Sequence, residues 1–219
     1  MSVKRPYSNS LECEIGNLRE RILNDPTQVL DPPDQHHEFA NGDHGQKLDF
    51  DRITTGSDFF WQWVSAYTNW VNEVYRGQHP DVLVGVANGA NHLATTMSAS
   101  VGTVALETYK KDKKTVGLNN MARIAIDELN PRFALIIEDV GTTGGTTSTV
   151  VPQLREMGVE RIEVAHTWIR KPGLIELNRL DVPYSAMIHE PLPTFAESEC
   201  HTLTNGFCNQ GVILIPHGQ

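Results

Sequence analysis

The sequence predicts an α/β fold: a parallel twisted sheet flanked by helices on both faces, preceded by a small N-terminal segment. Two observations carry this. Short, largely apolar runs stand at 81–86 and 133–137, the mark of strands buried on both faces, and a further strand is read at 161–168. Each is followed by a glycine-bearing turn and a helix-compatible segment. Alternation of that kind builds a parallel sheet with helical layers. Such sheets take their ligands at the carboxyl ends of the strands.

The elements follow in order. Leu11, Ile15, Leu18 and Ile22 share one face, predicting an amphipathic helix over 11–23. Asp25-Pro26 stops it, and Asp31-Pro32-Pro33 marks a loop. The stretch 37–51 is turn-rich, with Gly42 and Gly45 between short extended pieces. A helix over 57–75 carries Phe59, Phe60, Trp61, Trp63, Tyr67 and Trp70 and closes at Gly77. Strands then follow at 81–86, 103–108, 133–137, 161–168 and 184–188. The charged, glycine-bearing stretch 110–120 reads as a mobile loop and Asn130-Pro131 as a turn. Helices are expected over 88–100, from Gly144-Gly145 to about Gly158, and over 173–179. Pro152 lacks a donor and should kink or delay the middle one. The organisation expected is a helix and hood at 1–55, a core domain at 56–195 and a tail at 196–219.

Bulk composition narrows the function. The chain has 219 residues, 39% of them apolar and 21% charged, a globular balance that argues against wholesale disorder. Lys and Arg number 18 against 27 Asp and Glu, so the net charge of −9 disfavours a nucleic-acid partner. A Lys110–Lys114 nucleic-acid surface would have to work against that field. Three cysteines are too few for a disulfide framework and suit a reducing, cytoplasmic setting. The first residues lack the apolar segment of a secretory signal, and no apolar run reaches spanning length, so no membrane association is expected.

One segment concentrates the chemistry. After the apolar run 134–137 come Glu138, Asp139, Val140, Gly141, Thr142, Thr143, Gly144, Gly145, Thr146 and Thr147. A buried strand thus delivers two adjacent carboxylates, a Gly/Thr loop follows, and a helix begins. Glycines let the main chain approach a ligand closely. Loop amides and a helix start suit a phosphate. Two acids beside a phosphate need a partner between them, and ribose hydroxyls or a hydrated Mg²⁺ fill that role. No Lys follows the glycines as a P-loop requires, and the acids precede them, unlike the dinucleotide fingerprint.

This segment closely resembles the phosphoribosyl pyrophosphate motif of type I phosphoribosyltransferases, a family with a Rossmann-like fold. The resemblance implies a transfer of the 5-phosphoribosyl group from phosphoribosyl pyrophosphate to a nucleobase, with Mg²⁺ as cofactor and pyrophosphate leaving. It assigns Glu138 and Asp139 to the ribose hydroxyls and Mg²⁺, directly or through water, and the loop from Val140 to Thr147 to the 5′-phosphate. Ala87, Asn88, Gly89 and Ala90 resemble the family's pyrophosphate loop. Lys110, Lys111 and Lys114, with Gly117, resemble the mobile catalytic loop of the orotate enzymes, where Val116 stands in place of the family's His. In that family the loop works across subunits, which implies a homodimer. The stretch from Phe39 through Lys47 to Asp51 resembles the orotate enzymes' hood, with Asn41 for Ser. Arg170 matches a base-binding Arg, although Ile169 replaces the Asp before it. The base site implied comprises Arg170, Thr142 and Lys47. Orotate or a related pyrimidine leads, a purine or other base is the enzymatic rival, and a non-catalytic nucleotide or phosphoribosyl pyrophosphate sensor is the rival from another class.

Other residues are set aside. Cys200, His201 and Cys208 match no standard zinc spacing and read as belonging to a polar tail with free thiols. His36, His37 and His44 read as solvated loop residues. Trp61, Trp63 and Trp70 read as core or subunit contacts and Met97 as core filler.

Overall fold

The computed structural model describes residues 7–24, 29–39, 42–53, 55–86, 89–112, 115–170 and 173–216. In chain order its elements are α1 (Asn9–Asn24), β1 (Gln35–Glu38), β2 (His44–Gly45), a 3-10 turn (Phe50–Arg52), α2 (Asp58–Val74), β3 (Val82–Gly85), α3 (Gly89–Val101), β4 (Val104–Lys110), β5 (Val116–Leu118), α4 (Asn120–Leu129), β6 (Phe133–Gly141), α5 (Gly145–Ser148), α6 (Val151–Glu156), β7 (Arg161–Ile169), α7 (Ile175–Arg179), β8 (Tyr184–His189), β9 (Thr194–Phe195), α8 (Glu197–Thr202) and β10 (Ile213–Ile215). The chain divides into a large unit, Met1–Leu18 with Thr55–Glu190, and a small one, Arg19–Thr54 with Pro191–Gln219.

The large unit carries the expected α/β sheet. Its six strands run in the order β5-β4-β3-β6-β7-β8. All neighbouring pairs are parallel except β4 and β5. The antiparallel edge corrects the loop expected over 110–120: β4 continues to Lys110, and Val116–Leu118 returns along it with Lys110↔Val116 and Thr108↔Leu118 in register. Val116 and Leu118 are buried on the core cluster, which gives that return strand its reason to pair.

The central strands are apolar because both faces are covered. Val82, Leu83 and Val84 of β3, and Ala134, Leu135, Ile136 and Ile137 of β6, are fully buried. Helix α2 starts where the Ser57 Oγ accepts the Phe60 N–H at 3.1 Å. It buries Phe59 and Phe60, each contributing roughly 1.5–3 kcal/mol by leaving water. Its larger rings keep their polar ends satisfied. Trp63 Nε1 donates to Thr167 Oγ1 at 2.9 Å, and the Tyr67 hydroxyl donates to the Ala165 carbonyl at 2.5 Å, both on β7. Trp63 and Trp70 are core, as expected, whereas Trp61 is 54% exposed.

Two helices differ from expectation. The helix after Gly145 is broken into α5 and α6, and Pro152 sits in the first turn of α6, where a missing donor leaves no helical bond unmade. Helix α4 has no counterpart in the sequence reading. The Asn119 side chain caps it by accepting the Ala122 N–H at 2.7 Å, and Asn130 ends it in the left-handed conformation at φ 45°.

The small unit is a four-stranded sheet in the order β10-β1-β2-β9. Strand β1 runs parallel to β10 and antiparallel to β2, so the tail and the hood segment share one sheet instead of standing as separate pieces. Below it, the buried Asp31 carboxylate accepts the Lys47 N–H at 2.6 Å and the Arg52 guanidinium at 3.0 Å.

Candidate active site

Four chain segments leave the carboxyl edge of the large unit's sheet side by side, in the strand order β4, β3, β6, β7. The register fixes their depth. Gly85 aligns with Glu107 on one side and Ile137 on the other, and Ile137 aligns with Ala165. Strands β4, β6 and β7 run past the β3 end, to Lys110, Gly141 and Ile169, and their carboxyl ends line the rim where open α/β sheets bind ligands.

The acid pair lies on the last turns of β6, inside the strand rather than beyond it. Successive strand residues face opposite sides, so the two carboxylates bracket the strand end. Glu138 accepts the Thr147 hydroxyl from the far end of the Gly/Thr loop. Burial first, and then the Asp139 charge, raise the Glu138 carboxyl well above the usual carboxylate range, against the Thr147 bond. Asp139 Oδ1 accepts the N–H of Val140 at 2.7 Å.

Steric limits shape the loop between. A Cβ on Gly141 would stand 2.8 Å from His166 Cδ2 and 3.0 Å from Ile169 Cγ1. Gly144 adopts φ 77° as the N-cap of α5, and a Cβ there would stand 2.7 Å from Leu177 Cγ. The Thr143 carbonyl accepts the Glu176 N–H at 3.0 Å, tying the loop to α7. Thr142 and Thr143 are exposed, Val140, Gly145 and Thr146 partly so, and Thr147 is buried.

Just past β3, the Val86 N–H donates to the Ile137 carbonyl at 3.0 Å, tying the β3 end to the β6 residue before Glu138. Gly89 and Ala90 open α3 and are buried; Ala87 and Asn88 lie outside the described residues. A Cβ on Gly85 would meet the Asn91 Cα at 2.6 Å, so the strand end and helix start touch main chain to main chain.

Lys110 ends β4 and Lys111 begins the hairpin turn, both exposed; Lys114 lies outside the described residues. The Lys111 side chain lies over Gly117. Asp112 holds the turn by accepting the Thr115 N–H at 2.9 Å and hydroxyl at 2.7 Å. Arg170 follows β7, only 3% exposed, with its N–H on the Gly141 carbonyl at 3.2 Å. That burial excludes a surface ion-pair role for it. Lys47 belongs to the small unit, where its ammonium pairs with Asp49 at 2.7 Å.

Comparison with known proteins gives the family. A family model described as "Phosphoribosyl transferase domain" matches residues 61–191, more than half of the chain. The chain belongs to the type I phosphoribosyltransferase family. Its relatives include an orotate phosphoribosyltransferase of Caldanaerobacter subterraneus, 29% identical over 146 residues that cover 67% of this chain and 70% of the relative. An adenine phosphoribosyltransferase of Acidiphilium cryptum is 29% identical over 127 residues, 53% of this chain and 74% of that one. Among solved structures, a phosphoribosyltransferase from Corynebacterium diphtheriae superposes with a TM-score of 0.59 at 19% identity, covering 81% of this chain and 96% of the other. No helix among the described residues is long and apolar enough to cross a membrane.

Two groups escaped the sequence reading. His166, unremarked there, is fully buried beside Gly141; its Nδ1 lies 3.3 Å from the Ser185 carbonyl, and burial holds it down to about 4. His36, His44 and Cys200, read as loop or tail residues in water, are buried together with Cys208 at their side. Their long-range pairing leaves no local spacing to detect.

Proposed function

We propose that this chain transfers the 5-phosphoribosyl group from phosphoribosyl pyrophosphate to a nucleobase, with orotate or a related pyrimidine as acceptor. The observation that carries the reading is the β6 rim: two carboxylates at a strand end, one of them tied by Thr147 to a glycine-shaped loop that opens a helix. In the reaction a base nitrogen forms the bond to the anomeric carbon as the carbon–oxygen bond to pyrophosphate breaks, and the base N–H proton leaves to solvent or product. Positive charge builds on the ribose ring in between. Glu138 and Asp139 would stabilise that charge and accept the ribose hydroxyls. Main-chain donors of Gly141 to Thr147 would hold the 5′-phosphate. Gly89 and Ala90 at the start of α3, with Ala87, Asn88, Lys110, Lys111 and Lys114, would receive the diphosphate.

Mg²⁺ fits the donor set. A carboxyl raised by its own burial and by a second acid is one whose ionised form a divalent cation would restore. Glu138 and Asp139 would hold the ion directly or through water, and it would supply neutralising charge to the pyrophosphate. Arg170 and Thr142 are offered as base contacts, since a buried guanidinium suits an anionic or carbonyl-rich ring. A homodimer is part of the reading, on the resemblance of the Lys110–Gly117 hairpin to loops that work across subunits. The orotate relative favours a pyrimidine; the adenine relative makes a purine the second reading.

The test is pyrophosphate release from phosphoribosyl pyrophosphate and Mg²⁺ with orotate, uracil, adenine, guanine and hypoxanthine in turn. Release with orotate or uracil supports the proposal. Release with a purine alone moves the acceptor to the second reading. Silence with every base, alongside calorimetric binding of phosphoribosyl pyrophosphate, replaces catalysis with sensing.

A further inference from the structure

The small unit's sheet is built from short strands. Strands β2 and β9 have two residues each, and on β10 Ile213 is 58% and Leu214 38% exposed. Small units commonly add a staple, either a disulfide or a metal. Cys200 and Cys208 are both free thiols.

Four side chains converge inside this unit. His36 comes from β1, His44 from β2, Cys200 from α8 and Cys208 from the loop before β10. One ligand atom of each lies within 4.8 Å of all the others. His36 Nε2 is 3.3 Å and His44 Nδ1 3.2 Å from Cys208 Sγ, and His36 Nε2 is 4.0 Å from Cys200 Sγ. Tetrahedral zinc, with Zn–S near 2.3 Å and Zn–N near 2.0–2.1 Å, sets its ligand atoms roughly 3.3–3.8 Å apart. The observed spacing brackets that range.

The surroundings match a closed site. His36, His44 and Cys200 are at most 3% exposed. Phe207 stacks on His36 at 5.3 Å, and Phe195 meets Phe207 edge-on at 5.6 Å. The Cys208 N–H points at Cys200 Sγ from 3.3 Å, a contact that favours a thiolate. The loop between the cysteines is pinched where Gly206 approaches the Cys200 carbonyl, leaving no room for a Cβ. Two imidazoles and two sulfurs form a donor set for a borderline-soft ion, not for Mg²⁺.

We propose that His36, His44, Cys200 and Cys208 hold one structural Zn²⁺ ion, which fastens the C-terminal tail to the β1–β2 segment. The site leaves no open position, so the ion supports folding and takes no substrate.

The experiment titrates the metal-free full chain with Co²⁺. One equivalent should bind, with the intense visible bands of a tetrahedral ion and thiolate charge transfer, and Zn²⁺ should bleach them. The Cys200→Ser and Cys208→Ser variants should lose the thiolate spectrum. Cys13→Ser, at an exposed position of α1, and His201→Ala, whose ring lies 6.0 Å from His44, should retain it. Should the cysteine variants fail to fold, the native chain still decides the matter. Stoichiometric tetrahedral Co²⁺ supports the site. A weak octahedral spectrum, no stoichiometric binding, or three thiols reacting equally fast with and without Zn²⁺ overturns it. Loss of the spectrum in His201→Ala but not in His36→Ala overturns the ligand set. Phosphoribosyl transfer enters none of these readouts, so the two proposals fail separately.

Discussion

Asn91 grips the main chain of Thr108 on both sides: its Nδ2 donates to the Thr108 carbonyl at 2.9 Å and its Oδ1 accepts the Thr108 N–H at 3.2 Å. The Thr108 hydroxyl in turn donates to the Gly85 carbonyl at 2.9 Å. The Asn91 side chain thereby ties the end of β4 to the first turn of α3, and the Thr108 hydroxyl ties it to the end of β3. The two segments offered for the diphosphate, the α3 start and the lysine hairpin, grow from this knot. Asn91→Ala removes both bonds in a partly buried place, so it should lower unfolding free energy by roughly 1–3 kcal/mol. Urea denaturation checks this. A change under about 0.5 kcal/mol would mean that water replaces the amide without loss.

The acid pair separates function from stability. Glu138→Gln keeps an acceptor for the Thr147 hydroxyl while removing a carboxyl whose ionised form burial and Asp139 oppose. The variant should be as stable as the native chain or more so, and it should lose about 100-fold or more in pyrophosphate release, the scale of a lost transition-state electrostatic contact. Asp139→Asn should behave likewise in Mg²⁺-dependent turnover with the fold intact. Thermal unfolding and kinetics on the same samples decide it. Unchanged kinetics in both variants would remove the pair from the mechanism.

Much of this rim was legible because its information is local. A buried strand, an acid pair and a glycine loop lie within fourteen consecutive residues, 134–147. Pro152 likewise announces its own helix break. What stayed hidden depends on partners distant in sequence. Helix α4 buries only Ala122 and Ile126 and exposes Met121, Ile124 and Leu129, so its apolar stripe is too narrow to read. Val116 and Leu118 look like part of a charged loop until β4 supplies the ladder. The His and Cys quartet exists only once β10 pairs with β1, joining chain segments at opposite ends of the sequence.

The loop glycines should differ sharply under the same change. Gly141→Ala places a methyl 2.8 Å from His166 and 3.0 Å from Ile169, both in buried positions, and should cost about 1–3 kcal/mol of stability through overpacking. Because the loop must shift, binding of phosphoribosyl pyrophosphate should weaken by about tenfold or more, the effect of losing roughly 1.4 kcal/mol of contact. Gly145→Ala meets only Thr143 Oγ1 at 3.4 Å and should leave stability nearly unchanged. Calorimetric titration of both variants checks the contrast. Equal behaviour would mean that the loop relaxes freely around Gly141.

His166 gives the large unit a pH-dependent term with a definite sign. Folded, it is held down to about 4 by burial, against an ordinary value near 6.5. Between those two values the unfolded chain carries the proton and the folded chain does not. The unfolded state therefore gains as pH falls, and stability rises with pH across this window. The full contribution is present above about pH 6.5 and is lost toward pH 4, with a slope near 1.4 kcal/mol per unit. Glu138, raised by burial to about 8, acts in the opposite direction from about pH 4.5 upward, across the same window, so the native chain alone mixes the two. The difference between the native chain and His166→Gln cancels every other group. That difference should shrink by about 2 kcal/mol from pH 7.5 to pH 5, read from urea midpoints at both values. A gap that stays constant would mean that His166 takes up its proton inside the folded protein, with the Ser185 carbonyl at 3.3 Å helping to hold the charged ring.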